Sequence, residues 1–282
     1  MLNQKFHKEM NQDVICNFQK VRSTSLILPL FLLFSIVAVL YSFNALTPNG
    51  YVQIQKDYFL VINKFLSQFS STELNLTQLG DASIFLSFLI ILLIYTPKVW
   101  ESLIISSIVS LIFSFVLKNI FSVPRPSKAI DINMFNIIGK KASGFSSLTS
   151  GHAITIFTIL TILLFAFMPK RLNILYSFTL ISIGVFLVFT RVGVGAHYPL
   201  DVVIGSLIGY ISGLIGILLV QKHKICCWVE NKKCYPLFMV LILGCSISMI
   251  IKIYNQNLII FSLALVSLLV SLYKIVYVYS QK

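Results

Sequence analysis

Eight stretches of nearly unbroken apolar residues run through this 282-residue chain. They span approximately 25–45, 82–97, 101–118, 152–168, 172–190, 200–220, 236–253 and 258–278. Each is about long enough to cross roughly 30 Å of hydrocarbon at 1.5 Å per residue. The stretches 82–97 and 152–168 are short and reach into flanking residues. The runs are continuously apolar, with no alternation of polar and apolar positions. That excludes the dyad pattern of a membrane barrel and predicts helices, whose backbones satisfy their own hydrogen bonds in lipid. The predicted fold class is all-α, a polytopic transmembrane helical bundle. Residues 46–80 interrupt the pattern with a polar segment. Within it YFLVINKFLSQF (58–69) has the spacing of an amphipathic helix, either lying on the membrane surface or packed on the bundle. The run at 25–45 reads as an uncleaved first span, because no small-residue cleavage site follows it.

Composition agrees with the pattern. The chain is 57% hydrophobic and only 11% charged, where soluble domains hold about 25% charged residues. The net charge of +13 would suggest nucleic acid in a soluble protein. Here the cations cluster at the ends of apolar runs, as topology signals do, so no nucleic-acid partner is expected. An inside N-terminus puts Lys5, Lys8, Lys20, Arg22, Lys98, Lys170, Arg171, Lys222, Lys224, Lys232, Lys233 and Lys282 in the cytoplasm. The five cysteines form no disulfide framework. His223, Cys226, Cys227 and Cys234 match no usual zinc spacing, so no metal and no cofactor are expected.

That topology leaves a set of cations on the outer face, in three clusters. The first is KNIFSVPRP, where Lys118 ends a span and Arg125 sits between two prolines that keep it out of a regular helix. The second is SLTSGHA, where Ser150, Gly151 and His152 open a span. A helix N-terminus presents unpaired N–H groups and positive dipole character to an anion. The third is TRVGVGAHYPLD. Pro199 suits the first turn of a helix, which places Asp201 in that turn, within reach of the His197 ring. Taken singly, each reads equally as snorkelling cations, an N-cap or a surface ion pair. Together they bring three cations, two imidazoles, one carboxylate and a helix N-terminus to one side of the membrane. That set suits a tetrahedral oxyanion such as phosphate, with guanidinium groups in place of a metal.

In these residues the chain resembles the type 2 phosphatidic acid phosphatase superfamily, which also contains the vanadium haloperoxidases. The family pattern is K-x6-RP, then PSGH, then SR-x5-H-x3-D. Lys118, Arg125 and Pro126 match the first part, Ser150, Gly151 and His152 the second, and Arg191, His197 and Asp201 the third. Thr149 and Thr190 depart from the usual Pro and Ser. The resemblance covers roughly residues 80–220. It implies a six-span phosphatase-like core, here followed by about two extra C-terminal spans. The implied divisions are a cytoplasmic segment at 1–24, a first span and extracytoplasmic segment at 25–80, a catalytic membrane core at 81–221, and a cytoplasmic loop with two spans at 222–282. It implies His197 as a nucleophile forming a phosphohistidine, Asp201 orienting it, and His152 as the acid to the leaving oxygen. Lys118, Arg125, Ser150, Gly151 and Arg191 would bind phosphate.

The expected partner is a lipid phosphate in the bilayer of an inner (cytoplasmic) membrane, reached from the extracytoplasmic side. Phosphatidic acid, phosphatidylglycerol phosphate, undecaprenyl pyrophosphate and lipid A are the candidates the family implies. Lys128, Lys140 and Lys141 form either a solvated basic loop or a contact to a second phosphate. Transfer of the phosphoryl group to another lipid would use the same phosphohistidine. A transporter or scaffold is disfavoured by the absence of charge in the span centres.

Overall fold

The computed structural model describes residues 2–168, 173–223 and 225–281, and every regular element among them is helical. Four cations placed inside by the topology, Lys170, Arg171, Lys224 and Lys282, lie outside the described residues. In order the helices are α1 (Leu2–Phe18), α2 (Ile27–Ser42), α3 (Pro48–Leu66), α4 (Ser70–Thr77), α5 (Ala82–Leu89), α6 (Leu92–Tyr95) and α7 (Pro97–Phe121). There follow α8 (Pro126–Ala129), α9 (Gly151–Ala166), α10 (Asn173–Gly193), α11 (Pro199–Lys222), α12 (Tyr235–Gln256) and α13 (Ile259–Ser280).

Six helical stretches are long and apolar enough to cross a membrane: Ser23–Ser42, Pro97–Ala129, Ile174–Gly193, Pro199–Lys222, Lys232–Gln256 and Ile259–Ser280. The protein is a multi-pass helical bundle. The two runs that read as short remain so. Gly151–Ala166 has 16 residues, and 82–97 is divided between α5 and α6. The division has a local cause. The Leu89 carbonyl accepts from the Trp100 indole N–H at 3.1 Å, and Thr96, ahead of Pro97, leaves the helical region at φ −142°.

The centre of the bundle is the pair α9 and α11. Gly205, Gly209 and Gly213 form a small-residue stripe at i, i+4 spacing along α11. A Cβ on Gly205 would stand 2.9 Å from the Ser150 carbonyl oxygen, and one on Gly213 would stand 2.7 Å from Thr161 Cβ. Glycine therefore sets the backbone separation of the two helices. Thr158 Oγ1 donates across the interface to the Gly209 carbonyl at 3.2 Å. This close approach places the N-termini of α9 and α11 side by side, and the Ser150 N–H donates to the Asp201 carbonyl at 3.2 Å.

The polar segment after α2 packs on the bundle. In α3 the residues Tyr51, Gln55, Phe59 and Asn63 recur every four positions and are all buried. Its outward side shows Tyr58, Val61 and Phe65. Asn63 Nδ2 donates to the Val192 and Gly193 carbonyls at 3.0 and 2.9 Å. Gln55 Oε1 accepts from Leu200 N at 3.0 Å. These bonds satisfy backbone groups at the end of α10 and the start of α11 that no helix could pair. The C-terminal helices α12 and α13 hold the next part of the segment. Lys252 Nζ lies 2.8 Å from Asp81 Oδ2, Asn75 Oδ1 accepts from Ile260 N at 3.3 Å, and Ser267 Oγ donates to the Ser87 carbonyl at 2.9 Å.

Candidate active site

Each of the three sequence clusters sits at the same end of its helix pair. Lys118 lies in the last turn of α7, which stops where Ser122 turns left-handed at φ 44°. The chain then runs through a long loop closed by two backbone bonds, Arg125 N to Gly144 O at 2.9 Å and Ser147 N to Val123 O at 3.0 Å. These bonds bring Arg125 and Ser147 together before α9 begins. Ser150 caps α9, its Oγ accepting from Ala153 N at 3.4 Å. A Cβ on Gly151 would stand 3.4 Å from Lys118 Nζ, so the ammonium lies against the N-terminus of α9.

His197 occupies the short connection between α10 and α11. The Ala196 and His197 N–H groups both donate to the Arg191 carbonyl, at 3.0 and 3.2 Å. The imidazole is 2% exposed. Its Nδ1 lies 2.9 Å from the Ser147 carbonyl oxygen. A carbonyl only accepts, so Nδ1 carries the proton and Nε2 keeps a free lone pair. Nε2 faces Arg125 Nη1 at 3.4 Å. Burial pushes the imidazole pKa down to about 4; Arg125 and Arg191 act in the same direction, against Asp201. The ring is therefore neutral at neutral pH.

Asp201 does not make the direct ring contact that its spacing suggests. Its Oδ2 is 3.6 Å from His197 Nδ1, beyond hydrogen-bond reach. Instead Oδ2 accepts from Ser147 Oγ at 2.6 Å and from Tyr198 N at 2.9 Å, and Oδ1 accepts from the Tyr51 hydroxyl at 2.9 Å. The carboxylate thus anchors Ser147, whose carbonyl in turn fixes the ring. Burial, then the charge of Asp201, raises the Tyr51 pKa well above its ordinary value and keeps it a donor. Ser147 and Tyr51 reach the site although the motifs do not mark them. Ser147 was legible only as a neighbour of SGH. Tyr51 lies 150 residues from its partner, on the buried stripe of α3.

Arg191 and His152 complete the cluster. Arg191 Nη1 donates to Thr77 Oγ1 at 2.8 Å, so α4 holds the guanidinium in place. The Arg191 Nε is buried with no partner of its own. His152 lies within electrostatic reach of Arg191, His197, Asp81 and Lys118, and the Gly80 backbone packs directly on its ring. All eight sequence-marked residues therefore converge: Lys118, Arg125, Ser150, Gly151, His152, Arg191, His197 and Asp201. Of the loop lysines, Lys128 lies 3.8 Å over the Phe145 ring, while Lys140 and Lys141 are exposed. Among the described residues no group of three or more His, Cys, Asp or Glu side chains could hold a metal ion.

Residues 99–225 match the family model of the PAP2 superfamily. Among solved structures, the crystal structure of Aquifex aeolicus LpxE aligns at 25% identity and a TM-score of 0.49, covering 58% of this chain and 95% of that chain. No curated protein matches the sequence. The matched region contains Lys118, Arg125 and the whole of α9 to α11. It leaves out α3 and α4, from which Tyr51 and Thr77 reach the site.

Beside the site, Glu73 on α4 is 2% exposed. Its Oε2 has no hydrogen-bond partner and lies against the Gly193 backbone. Burial raises its pKa from 4.5 to about 7. The folded state therefore prefers the protonated acid. Its contribution is fully present below about pH 4.5 and is lost as pH rises through about 7. We expect the thermal midpoint to fall between pH 5 and pH 8 in the unmodified protein, and Glu73→Gln to flatten that slope. Parallel slopes in the two proteins, read by melting in detergent across those buffers, would disprove the assignment.

Proposed function

We propose that this protein is a membrane lipid phosphatase that works through a phosphohistidine on His197. The observation that carries the reading is the His197 ring. Nδ1 is committed to the Ser147 carbonyl, and the free Nε2 points at the Arg125 guanidinium. A nucleophilic lone pair beside a phosphate-binding cation is the arrangement that attack on phosphorus requires.

In this reading Lys118, Arg125 and Arg191 hold the non-bridging oxygens, with the N-terminus of α9 at Ser150 and Gly151 assisting. Nε2 attacks phosphorus, a P–N bond forms, and the P–O bond to the lipid breaks. His152 gives its proton to the departing oxygen. Water then attacks the phosphohistidine, His152 takes a proton from it, and the P–N bond breaks to release phosphate. Asp201 stabilises the positive charge that develops on the ring. Three fixed cations supply the charge that metal ions supply elsewhere, so the reaction needs none.

The site lies at the ends of apolar helices, which suits a substrate whose tails stay in the bilayer while its headgroup reaches the cations. We place the protein in a cytoplasmic membrane, with the site on the extracytoplasmic side. The cations at the opposite end, including Lys20, Arg22, Lys98, Lys222 and Lys232, support that orientation. The division into a short N-terminal segment, a catalytic core over 81–221 and a C-terminal pair of spans is part of the same proposal.

Phosphate release by detergent-purified protein in excess EDTA tests the reading. The substrates are phosphatidic acid, phosphatidylglycerol phosphate, undecaprenyl pyrophosphate and lipid A. Release from at least one of them, undiminished by EDTA, is expected. Loss of activity with EDTA, restored by a divalent cation, would overturn the metal-free mechanism. A labelled acceptor lipid in place of free phosphate would make the protein a phosphotransferase.

A further inference from the structure

The two imidazoles of the site are held in different ways. The His197 ring is fixed by the Ser147 carbonyl. The His152 ring has no hydrogen-bond partner among the described residues. Its place is defined by packing, and what packs on it is backbone. A Cβ on Gly80 would stand 2.6 Å from His152 Cγ and nearer still to its Cβ and Cδ2. Any side chain at position 80 would therefore take the space of the ring. The Gly80 backbone is not left-handed, so the position needs glycine for room and not for its conformation. Gly80 belongs to a single 3-10 turn, Gln78–Gly80, between α4 and α5. Thr77, just before the turn, accepts from Arg191. Asp81, just after it, accepts from Ser83 N and Ser83 Oγ at the start of α5 and from Lys252 Nζ on α12 at 2.8 Å. On either side of the turn α13 adds a bond, Ile260 N to Asn75 Oδ1 and Ser267 Oγ to the Ser87 carbonyl. The wall behind His152 is thus tied to the C-terminal pair of helices, and both wall and helices lie outside the matched residues 99–225.

We propose that Gly80 and the Lys252–Asp81 pair are positioning residues for His152: the turn at Gly80 is the wall that aims the ring, and α12 and α13 hold that wall in place. The inference rests on the phosphatase reading, in which His152 gives its proton to the departing oxygen, and it gives the two C-terminal spans a part in that step. The demand is geometric. An acid must stand within hydrogen-bond reach of the oxygen it protonates. A misplacement of about 1 Å can cost about a hundredfold in rate. A ring without a hydrogen bond of its own meets that demand only through the residues packed on it.

The test reads the need for a proton on the leaving group. A lipid phosphomonoester such as phosphatidic acid loses an alkoxide, which must be protonated. Para-nitrophenyl phosphate loses a phenolate, which leaves without a proton. Because kcat/KM covers the steps up to departure of that group, the ratio of the two kcat/KM values, lipid over aryl, isolates the acid. Gly80→Ala is expected to lower the ratio about a hundredfold. Lys252→Met is expected to lower it about threefold, the order of a half-exposed ion pair, and Lys252→Arg to preserve it. Lys252→Met, far from the ring, carries the test where Gly80→Ala does not fold. In a His152→Ala background neither substitution should lower the ratio further, because both act through the ring. A further fall there would overturn the inference. So would an unchanged ratio in Gly80→Ala and Lys252→Met beside a lowered one in His152→Ala, and the phosphatase would stand. A ratio unchanged in His152→Ala would remove the acid on which the inference rests. No release from any lipid phosphate would overturn the function, and the ring is then read directly by nuclear magnetic resonance. Isotopic nitrogen in the four histidines gives ring signals, and the His152 signal is the one lost in His152→Ala. It should shift in Gly80→Ala and Lys252→Met and stay in Lys252→Arg; a signal unmoved in the first two would overturn the positioning.

Discussion

His197→Ala is expected to lower kcat for lipid-phosphate hydrolysis by at least about a thousandfold while the protein still purifies as a folded bundle. The substitution removes the nitrogen lone pair that faces Arg125 and leaves Lys118, Arg125 and Arg191 in place. Substrate should therefore still bind, and the loss should fall on kcat. The ring also makes one buried hydrogen bond, to the Ser147 carbonyl, whose loss costs about 1–3 kcal/mol. That is small beside the packing of the bundle, so folding should survive. Incubation with lipid labelled at phosphorus, followed by acid-avoiding gel analysis, should show covalent label on the unmodified protein and none on the variant. Covalent label retained by His197→Ala, or kcat within tenfold of the original, would remove His197 from the nucleophile's role.

The second large effect should come from Asp201→Asn, with kcat lowered about a hundredfold and the neutral ring left in position. The structure allows the shape to persist. Asparagine can point its amide oxygen at Ser147 Oγ and Tyr198 N and its NH2 at the Tyr51 oxygen, which then accepts. What disappears is the negative charge, buried at 0% exposure and 3.6 Å from His197 Nδ1. That charge favours the cationic imidazole that forms on attack, and inside a low-dielectric site one charge at this distance amounts to a few kcal/mol. Tyr51→Phe, by contrast, removes one hydrogen bond and keeps the charge, so about a tenfold loss is expected. The pair separates charge from geometry. Equal losses in the two variants would show that the carboxylate acts only by holding Ser147 and Tyr51 in place.

The order of these effects depends on a detail that spacing alone misplaces. The four-residue interval from His197 to Asp201 suggests a direct pair, as on one helix face. In the structure Tyr198 is extended, at ψ 160°, and His197 lies outside α11. The carboxylate folds back on the Tyr198 N–H as an N-terminal cap, and the Ser147 carbonyl takes the place beside the ring. A helix cap is a local feature, yet which acceptor fills the remaining position depends on a loop 50 residues away.

The segment from 46 to 80 shows the same division. Its polarity marked it as extracytoplasmic, and the apolar periodicity of 58–69 marked a helix. Neither feature identified Tyr51 and Thr77 as supports of Asp201 and Arg191. Their partners lie 150 and 114 residues away, and no local period records such a distance. The C-terminal pair of spans was legible as apolar length. That it braces this segment, through Lys252 with Asp81 and Asn75 with Ile260, was not.

By itself the sequence determined what depends on local composition and on short intervals. Lipid tolerates a crossing backbone only if its polar groups pair internally, so long uncharged runs dictate a helical bundle. Cations, glycine and histidine at fixed intervals beside helix ends point to an anion site, because each motif is a single turn or loop whose geometry is local. The tertiary structure decided which acceptor holds the His197 ring and which helix holds the Arg191 guanidinium. Those outcomes come from elements far apart in sequence meeting at one helix end, and that meeting is set by glycine-close packing of α9 on α11 and by the helices wrapped around them.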